Sequence, residues 1–235
     1  MVEALIFDVF GTCVDWRTGV SREAARVAAE KQLDIDADAF ADYWRGRYQP
    51  AMQRIRSGNR GYVALDDLHL ENLSETLSAF ELDAEFDAAE RQAFNAAWEK
   101  LPPWPDVVEG LEQLKRRYIL APCSNGSIAL TARLAKYGGL AWDAIVGAEV
   151  AQNYKPDPAV YLASVAALRL APEQVMMVAA HNGDLAAARD NDLKTAFVPR
   201  PSEHGPGQTS DLEADSDWDV IADDFIDLAE KLAAV

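Results

Sequence analysis

The chain has 235 residues, 49% of them hydrophobic, long enough to bury a substantial core as one α/β domain with an insertion or as two small domains. Its 39 acidic against 22 basic residues give a formal net charge of −17, so the basic footprint that nucleic acid or an anionic membrane surface requires is missing. No apolar stretch approaches membrane-spanning length and no basic segment precedes a cleavable apolar run at the N-terminus, so the cytoplasm is the expected location.

Leu5 to Phe7 is a short β-type apolar run and predicts a central buried strand. It runs into Asp8-Val9-Phe10-Gly11-Thr12, which sets one carboxylate at the C-terminal edge of a strand, where open α/β sheets bind ligands. From about Val20 to Lys100, residues such as Phe40, Tyr43, Trp44, Arg47 and Tyr48 recur at helical spacing without a strand pattern, which predicts a helical insertion. The segment Leu101-Pro102-Pro103-Trp104-Pro105 ends it, because its prolines cannot continue a helix.

Beyond Asp106 the pattern alternates. Helices are expected at Val107 to Arg117, Ser127 to Tyr137, Pro158 to Leu168, Asp184 to Asn191 and Phe225 to Ala234. Strands are expected at Tyr118 to Ala121, Ala144 to Gly147, Val175 to Val178 and Thr195 to Val198. Such alternation predicts an α/β fold, a doubly wound parallel sheet with crossover helices on both faces. The Pro-, Gly- and acid-rich stretch from Pro199 to Asp217 reads as a mobile loop bordering the site or solvent. Cys13 and Cys123 stand at no framework or zinc-ligand spacing and are expected to be buried thiols.

Asp8 is the candidate nucleophile, and two residues on, where a second carboxylate would supply a general acid and a metal ligand, stands Phe10. Three further segments follow in order: Pro122-Cys123-Ser124-Asn125-Gly126-Ser127, then Tyr154-Lys155-Pro156-Asp157-Pro158 with Tyr161 beyond it, then Ala179-Ala180-His181-Asn182-Gly183-Asp184. With Asp8 to Asp15 as the first of four, the chain resembles the haloacid dehalogenase-like hydrolase superfamily. Within it, the chain resembles the 2-haloacid dehalogenases, which carry an aromatic residue at the place of Phe10 where the phosphatases carry Asp. The resemblance implies a Rossmann-like core from residues 1–15 and 101–235, a helical cap domain from residues 16–100, and a homodimer.

Under this resemblance, Asp8 displaces halide from a small 2-halocarboxylate and the resulting ester is hydrolysed at the aspartyl carbon. Halide departs without protonation, which is why Phe10 is tolerable here and a defect in a phosphatase. Lys155 would keep Asp8 ionised and oriented. Thr12 and Ser124 offer hydroxyls to a carboxylate or cap the helices that follow. Asn125 either donates to the halide or a substrate oxygen or simply forms the turn before Gly126. Tyr161 lies near the substrate carboxylate or is a plain core residue, and Phe10 walls the pocket. Arg45 follows Trp44 as in the dehalogenase segment whose Arg reaches the halogen or carboxylate, a helix-surface role being the alternative.

The fourth segment departs from the dehalogenase pattern, with Ala179, His181 and Gly183 where Ser, Asn and a bulky aromatic are usual. Asp184 is kept and would orient or activate the hydrolytic water, with His181 or Asn182 standing in for the missing Asn. His181 is open between that role as a base and that of a strand-end His satisfying a carbonyl. Ala188 and Arg189 occupy the places where metal-dependent relatives carry another carboxylate, so no cofactor is expected. The expected activity is metal-independent hydrolysis of 2-haloacids to 2-hydroxyacids. The alternatives are a magnesium-dependent phosphatase and a catalytically silent binding member.

Overall fold

The computed structural model describes residues 1–234. Strand β1, Ala4–Phe7, is wholly buried, and its alternation serves two apolar clusters: Leu5 and Phe7 enter one, Ala4 and Ile6 the other. It pairs in parallel with β2 (Ile119–Ser124) on one side and β4 (Val175–Ala179) on the other, so that Ile6 stands between Ala121 and Met177. With β3 (Val146–Gly147), β5 (Lys194–Phe197) and β6 (Val220–Ile221), the sheet runs β3-β2-β1-β4-β5-β6, all parallel. The chain winds outward from β1 through β2 to β3, then crosses back to β4 and winds the other way. The C-terminal ends of β1 and β4 therefore flank a topological switch point, and Asp8 follows β1 while His181 to Asp184 follow β4.

Between β1 and β2 the chain is helical: α1 (Trp16–Lys31), α2 (Ala37–Gly46), α3 (Tyr48–Arg56), α4 (Leu65–Ala79) and α5 (Ala88–Asn95). Three of these starts are set locally, by Asp15 for α1, by Asp36 for α2 and by an Asp87/Glu90 capping box for α5. Their inner faces share aromatic side chains, with Phe40 stacked on Phe94 at 5.5 Å and Trp44 edge-on to Trp98 at 5.5 Å. Beyond them lie α6 (Val107–Leu114), α7 (Ile128–Gly138), α8 (Ala148–Ala151), α9 (Pro158–Ala167), α10 (Asn182–Arg189) and α11 (Phe225–Ala233). The short β6 and α8 carry too few residues for a periodicity, and α10 begins two residues before the expected Asp184. No helix of the described residues is long and apolar enough to cross a membrane.

The stretch from Pro199 to Asp217 corrects an expectation, for it is pinned rather than loose. Arg200 forks onto Asp106 with both contacts at 2.8 Å and donates Nε–H to the Thr12 carbonyl at 2.9 Å, while the same carboxylate accepts the Phe225 N–H at 2.9 Å. Further along, the Asn182 side chain binds Asp211, the Glu213 carbonyl and the Trp218 indole. Three residues after Arg200, Glu203 lies 1% exposed against Gly11, whose φ is +94° and where a Cβ would stand 2.1 Å from Glu203 Oε1. Arg200→Ala leaves the part-buried Asp106 carboxylate with only the Phe225 N–H and is expected to cost about 2 kcal/mol of folding stability. Urea unfolding measures this, and a loss under about 1 kcal/mol would show that the loop is held by something else.

Candidate active site

Asp8 is 8% exposed and every donor around it comes from a different part of the sheet edge. Lys155 Nζ, from the loop before α9, donates to Asp8 Oδ1 at 2.9 Å. Thr12 donates its hydroxyl to Oδ2 at 2.8 Å and accepts the Ala180 N–H at 2.9 Å, tying the loops after β1 and β4 together. Lys155 also donates to Asp184 Oδ2, and Tyr161 donates its hydroxyl to Asp184 Oδ1. Burial alone would raise the Asp8 pKa, but Lys155 and then the His181 hydrogen bond more than offset it and hold the carboxyl well below its ordinary value. Burial works against the Lys155 charge in the same way, and Asp184 followed by Asp8 keeps the ammonium protonated far above neutrality.

On the opposite side of Asp8, His181 stands between two carboxylates, Nδ1 at 3.2 Å from Asp8 Oδ2 and Nε2 at 2.8 Å from Glu203 Oε2. The Trp16 indole donates to the other Glu203 oxygen at 2.9 Å and fixes that carboxylate's orientation. Burial disfavours charge on the imidazole, yet Glu203 and then Asp8 raise its pKa well above the ordinary value. The chain thus places an Asp–His–Glu row across the switch point, a part-exposed imidazole between two buried carboxylates, next to the Asp8–Lys155–Asp184 row.

Both rows open onto a cavity of about 670 Å³ walled by Phe10, Trp16 and Tyr48 and supplied with polar ends by Arg45 and Asn125. Arg45, in the last turn of α2, lies over Tyr48 at 4.0 Å and Trp16 at 5.1 Å, and one of its terminal nitrogens is buried without a partner. Asn125 Oδ1 accepts the Lys155 N–H at 2.8 Å, which leaves its NH₂ as the end available to an anion. Thr12, Ser124, Tyr161 and Asn182 do not line this cavity, the Thr12 hydroxyl being spent on Asp8 and the Ala180 N–H. The Ser124 hydroxyl is fully buried and accepts the Gly126 N–H at 2.9 Å. Tyr161 reaches Asp184 rather than the cavity, and Asn182 turns away because its amide is consumed by the loop that precedes β6.

Glu203 is the residue that sequence reasoning missed, and Trp16 and Tyr48 join it as cavity neighbours without a role assigned beforehand. The only signal available was that the stretch containing Glu203 borders the site. Both cysteines are buried, Cys123 with its thiol pushed up to about 11 by burial, so neither is a nucleophile here.

Comparison with known proteins places these features in a context. Over residues 2–192 the chain matches the family described as haloacid dehalogenase-like hydrolase. It is 29% identical over 202 residues to (S)-2-haloacid dehalogenase 4A of Burkholderia cepacia, covering 85% of this chain and 84% of that one. A crystal structure of a defluorinating L-2-haloacid dehalogenase is 49% identical and has a TM-score of 0.97, covering 99% of this chain and 95% of that one. A second L-2-haloacid dehalogenase structure is 44% identical, also with a TM-score of 0.97, over the full length of both chains.

Proposed function

The chain belongs to the haloacid dehalogenase-like hydrolases, and from that premise we propose that it is a hydrolytic (S)-2-haloacid dehalogenase with Asp8 as nucleophile. The observation that carries this reading is the ionised Asp8 facing the cavity with Phe10, not an acid, two residues on, and with the Lys155 ammonium filling the gap to Asp184. Phe10, standing where a phosphatase carries the carboxylate that protonates its leaving group and helps hold its metal, disfavours the phosphatase alternative. The helices between β1 and β2 act as the cap, and its Arg45, with Asn125, receives the carboxylate or the departing halide. In the first step Asp8 attacks the halogen-bearing carbon from the rear, halide leaves with the bonding pair, and the carbon inverts into an aspartyl ester.

In the second step water attacks the aspartyl carbon. His181 Nδ1, adjacent to Asp8 Oδ2, takes the water proton and returns one to the departing hydroxyacid oxygen, with Glu203 holding the imidazole from behind. Ester formation removes the negative charge of Asp8, one of the two that keep His181 protonated, so alkylation itself frees the imidazole to act as base. Asp184 has both oxygens engaged, by Lys155 and Tyr161, and serves to hold Lys155 in place. The same reading carries a homodimeric cytoplasmic enzyme that needs no metal.

The test is halide release from fluoroacetate, chloroacetate, bromoacetate and each enantiomer of 2-chloropropionate in the presence of EDTA. Release from chloroacetate and from the (S) enantiomer alone, with (R)-lactate as product, is the expected result. Folded protein that releases halide from none of them would send the assignment to another reaction of the family, and magnesium-dependent release of phosphate from phosphomonoesters would identify it.

A further inference from the structure

Beyond Asp8, the Glu203 carboxylate has a second imidazole beside it. His204 Nε2 lies 3.5 Å from Glu203 Oε1, and donor atoms of His181, Glu203 and His204 all fall within 4.8 Å of one another. The three differ in exposure in a way that suits a site open to solvent on one side: the Glu203 side chain is 2% exposed, that of His181 26% and that of His204 44%. The Trp16 indole, which donates to Glu203 Oε1, supplies the outer hydrogen bond that orients a ligating carboxylate, and its ring also carries His204 at 5.6 Å.

We propose that His181, Glu203 and His204 form an inhibitory site for Zn²⁺ at the mouth of the cavity, one that arrests the enzyme after its first chemical step. Two imidazoles and a carboxylate are a donor set for Zn²⁺, leaving a fourth position to water. Bond lengths of about 2.0–2.2 Å put tetrahedral ligand atoms roughly 3.3–3.6 Å apart, so His204 already stands at ligand spacing from Glu203 Oε1, His181 needs to open from Glu203 Oε2 by less than about an ångström, and the two imidazoles, whose donor atoms lie within 4.8 Å, need to close by at most about 1.5 Å. The rest of the described residues offer no rival nitrogen or sulfur site. The chain has three histidines and two cysteines, and the third histidine, His69, is 1% exposed while both thiols are buried.

The arrest rests on the function proposed above and follows from which lone pair the metal takes. Zn²⁺ binds the His181 Nε2 lone pair and releases the proton that Nε2 shares with Glu203. The remaining ring proton stays on Nδ1, donated to Asp8. A ring in that state has no lone pair with which to accept a proton from water. Asp8, Lys155 and Arg45 keep their places, so displacement of halide proceeds while hydrolysis of the ester does not.

Calorimetric titration of the resting full-length protein with Zn²⁺ tests the site without any turnover. One Zn²⁺ per chain is expected, and His204→Ala, which removes a half-exposed side chain, should weaken binding tenfold or more while leaving metal-free turnover unchanged. Absence of binding, or binding indifferent to His204→Ala, overturns the site. Chloroacetate added to the Zn²⁺-loaded protein should release one halide per chain and then stop, with the adduct on Asp8 seen by intact-mass measurement, and EDTA should restart turnover. Full turnover at saturating Zn²⁺ overturns the inhibitory role. Inhibition without the halide burst also overturns the arrest and leaves the metal site standing. If the metal-free protein releases no halide either, the failure belongs to the proposed function, and the calorimetry alone decides the site.

Discussion

Asp8→Asn is expected to abolish halide release, with a loss on the order of 10⁴-fold or more in kcat/KM. The amide has no anionic oxygen with which to attack carbon, and the other carboxylates that line the cavity are engaged, Asp184 by Lys155 and Tyr161, Glu203 by His181 and Trp16, and Asp42 by Arg17. The variant should still fold: Lys155 keeps Asp184 and His181 keeps Glu203 as partners, so neither is left without a carboxylate. Chloride release and a thermal melt on the same preparation check both halves. Folded Asp8→Asn that retained a tenth of the activity would remove Asp8 from the chemistry. In single turnover with isotopically heavy water, the label should enter Asp8 and not the hydroxyacid, since water attacks the aspartyl carbon.

The second large effect falls on His181. His181→Gln should release one halide per chain at close to the normal rate and then stall as a stable ester, lowering steady-state turnover by about 10²–10⁴-fold. This substitution strands the buried Glu203, so the doubly altered His181→Gln/Glu203→Gln, which keeps a neutral hydrogen bond between the two, guards against simple unfolding. Steady turnover in the folded double variant would assign the base elsewhere. The pH dependence follows from the direction of the His181 shift. Its folded-state pKa lies above its unfolded value, so its contribution to stability is complete below about 6.5 and is lost as pH rises through the folded pKa. Ester hydrolysis requires the neutral ring and so should quicken with rising pH, through a pKa lowered by the neutralisation of Asp8.

The parts of the site that could be read from the chain are those made locally. Asp8, Lys155, His181 and Asp184 each stand one to a few residues beyond a strand or at the start of a helix, where a run of apolar residues announces the element and the break announces the loop. The same locality made the sheet readable, apart from β6, whose two residues are defined only by pairing with Ala196 and Phe197. Glu203 could not be read, since a glutamate among Pro, Ser and Gly residues is ordinarily solvated. Its burial depends on the Arg200–Asp106 pair and on Trp16, which is 187 residues away along the chain. Asn182 shows the converse, for it belongs to the right segment, yet its amide is claimed by Trp218 and Asp211 from a loop about which the segment says nothing.

The position of β1 in the middle of the sheet has a bearing on how the chain is made. Its partner β4 closes at Ala179, and Glu203 reaches the Trp16 indole only after a further stretch of translation. At about 5–20 residues per second, the interval from Trp16 to Glu203 lasts roughly 10 to 40 seconds, during which Asp8 is already synthesised. For most of that interval β1 lacks β4 and Asp8 lacks His181, while the aromatic helices that follow β1 can gather locally. The nascent chain therefore carries Asp8 before the partners that surround it in the fold, and the row through His181 can be completed only once Glu203 has left the ribosome.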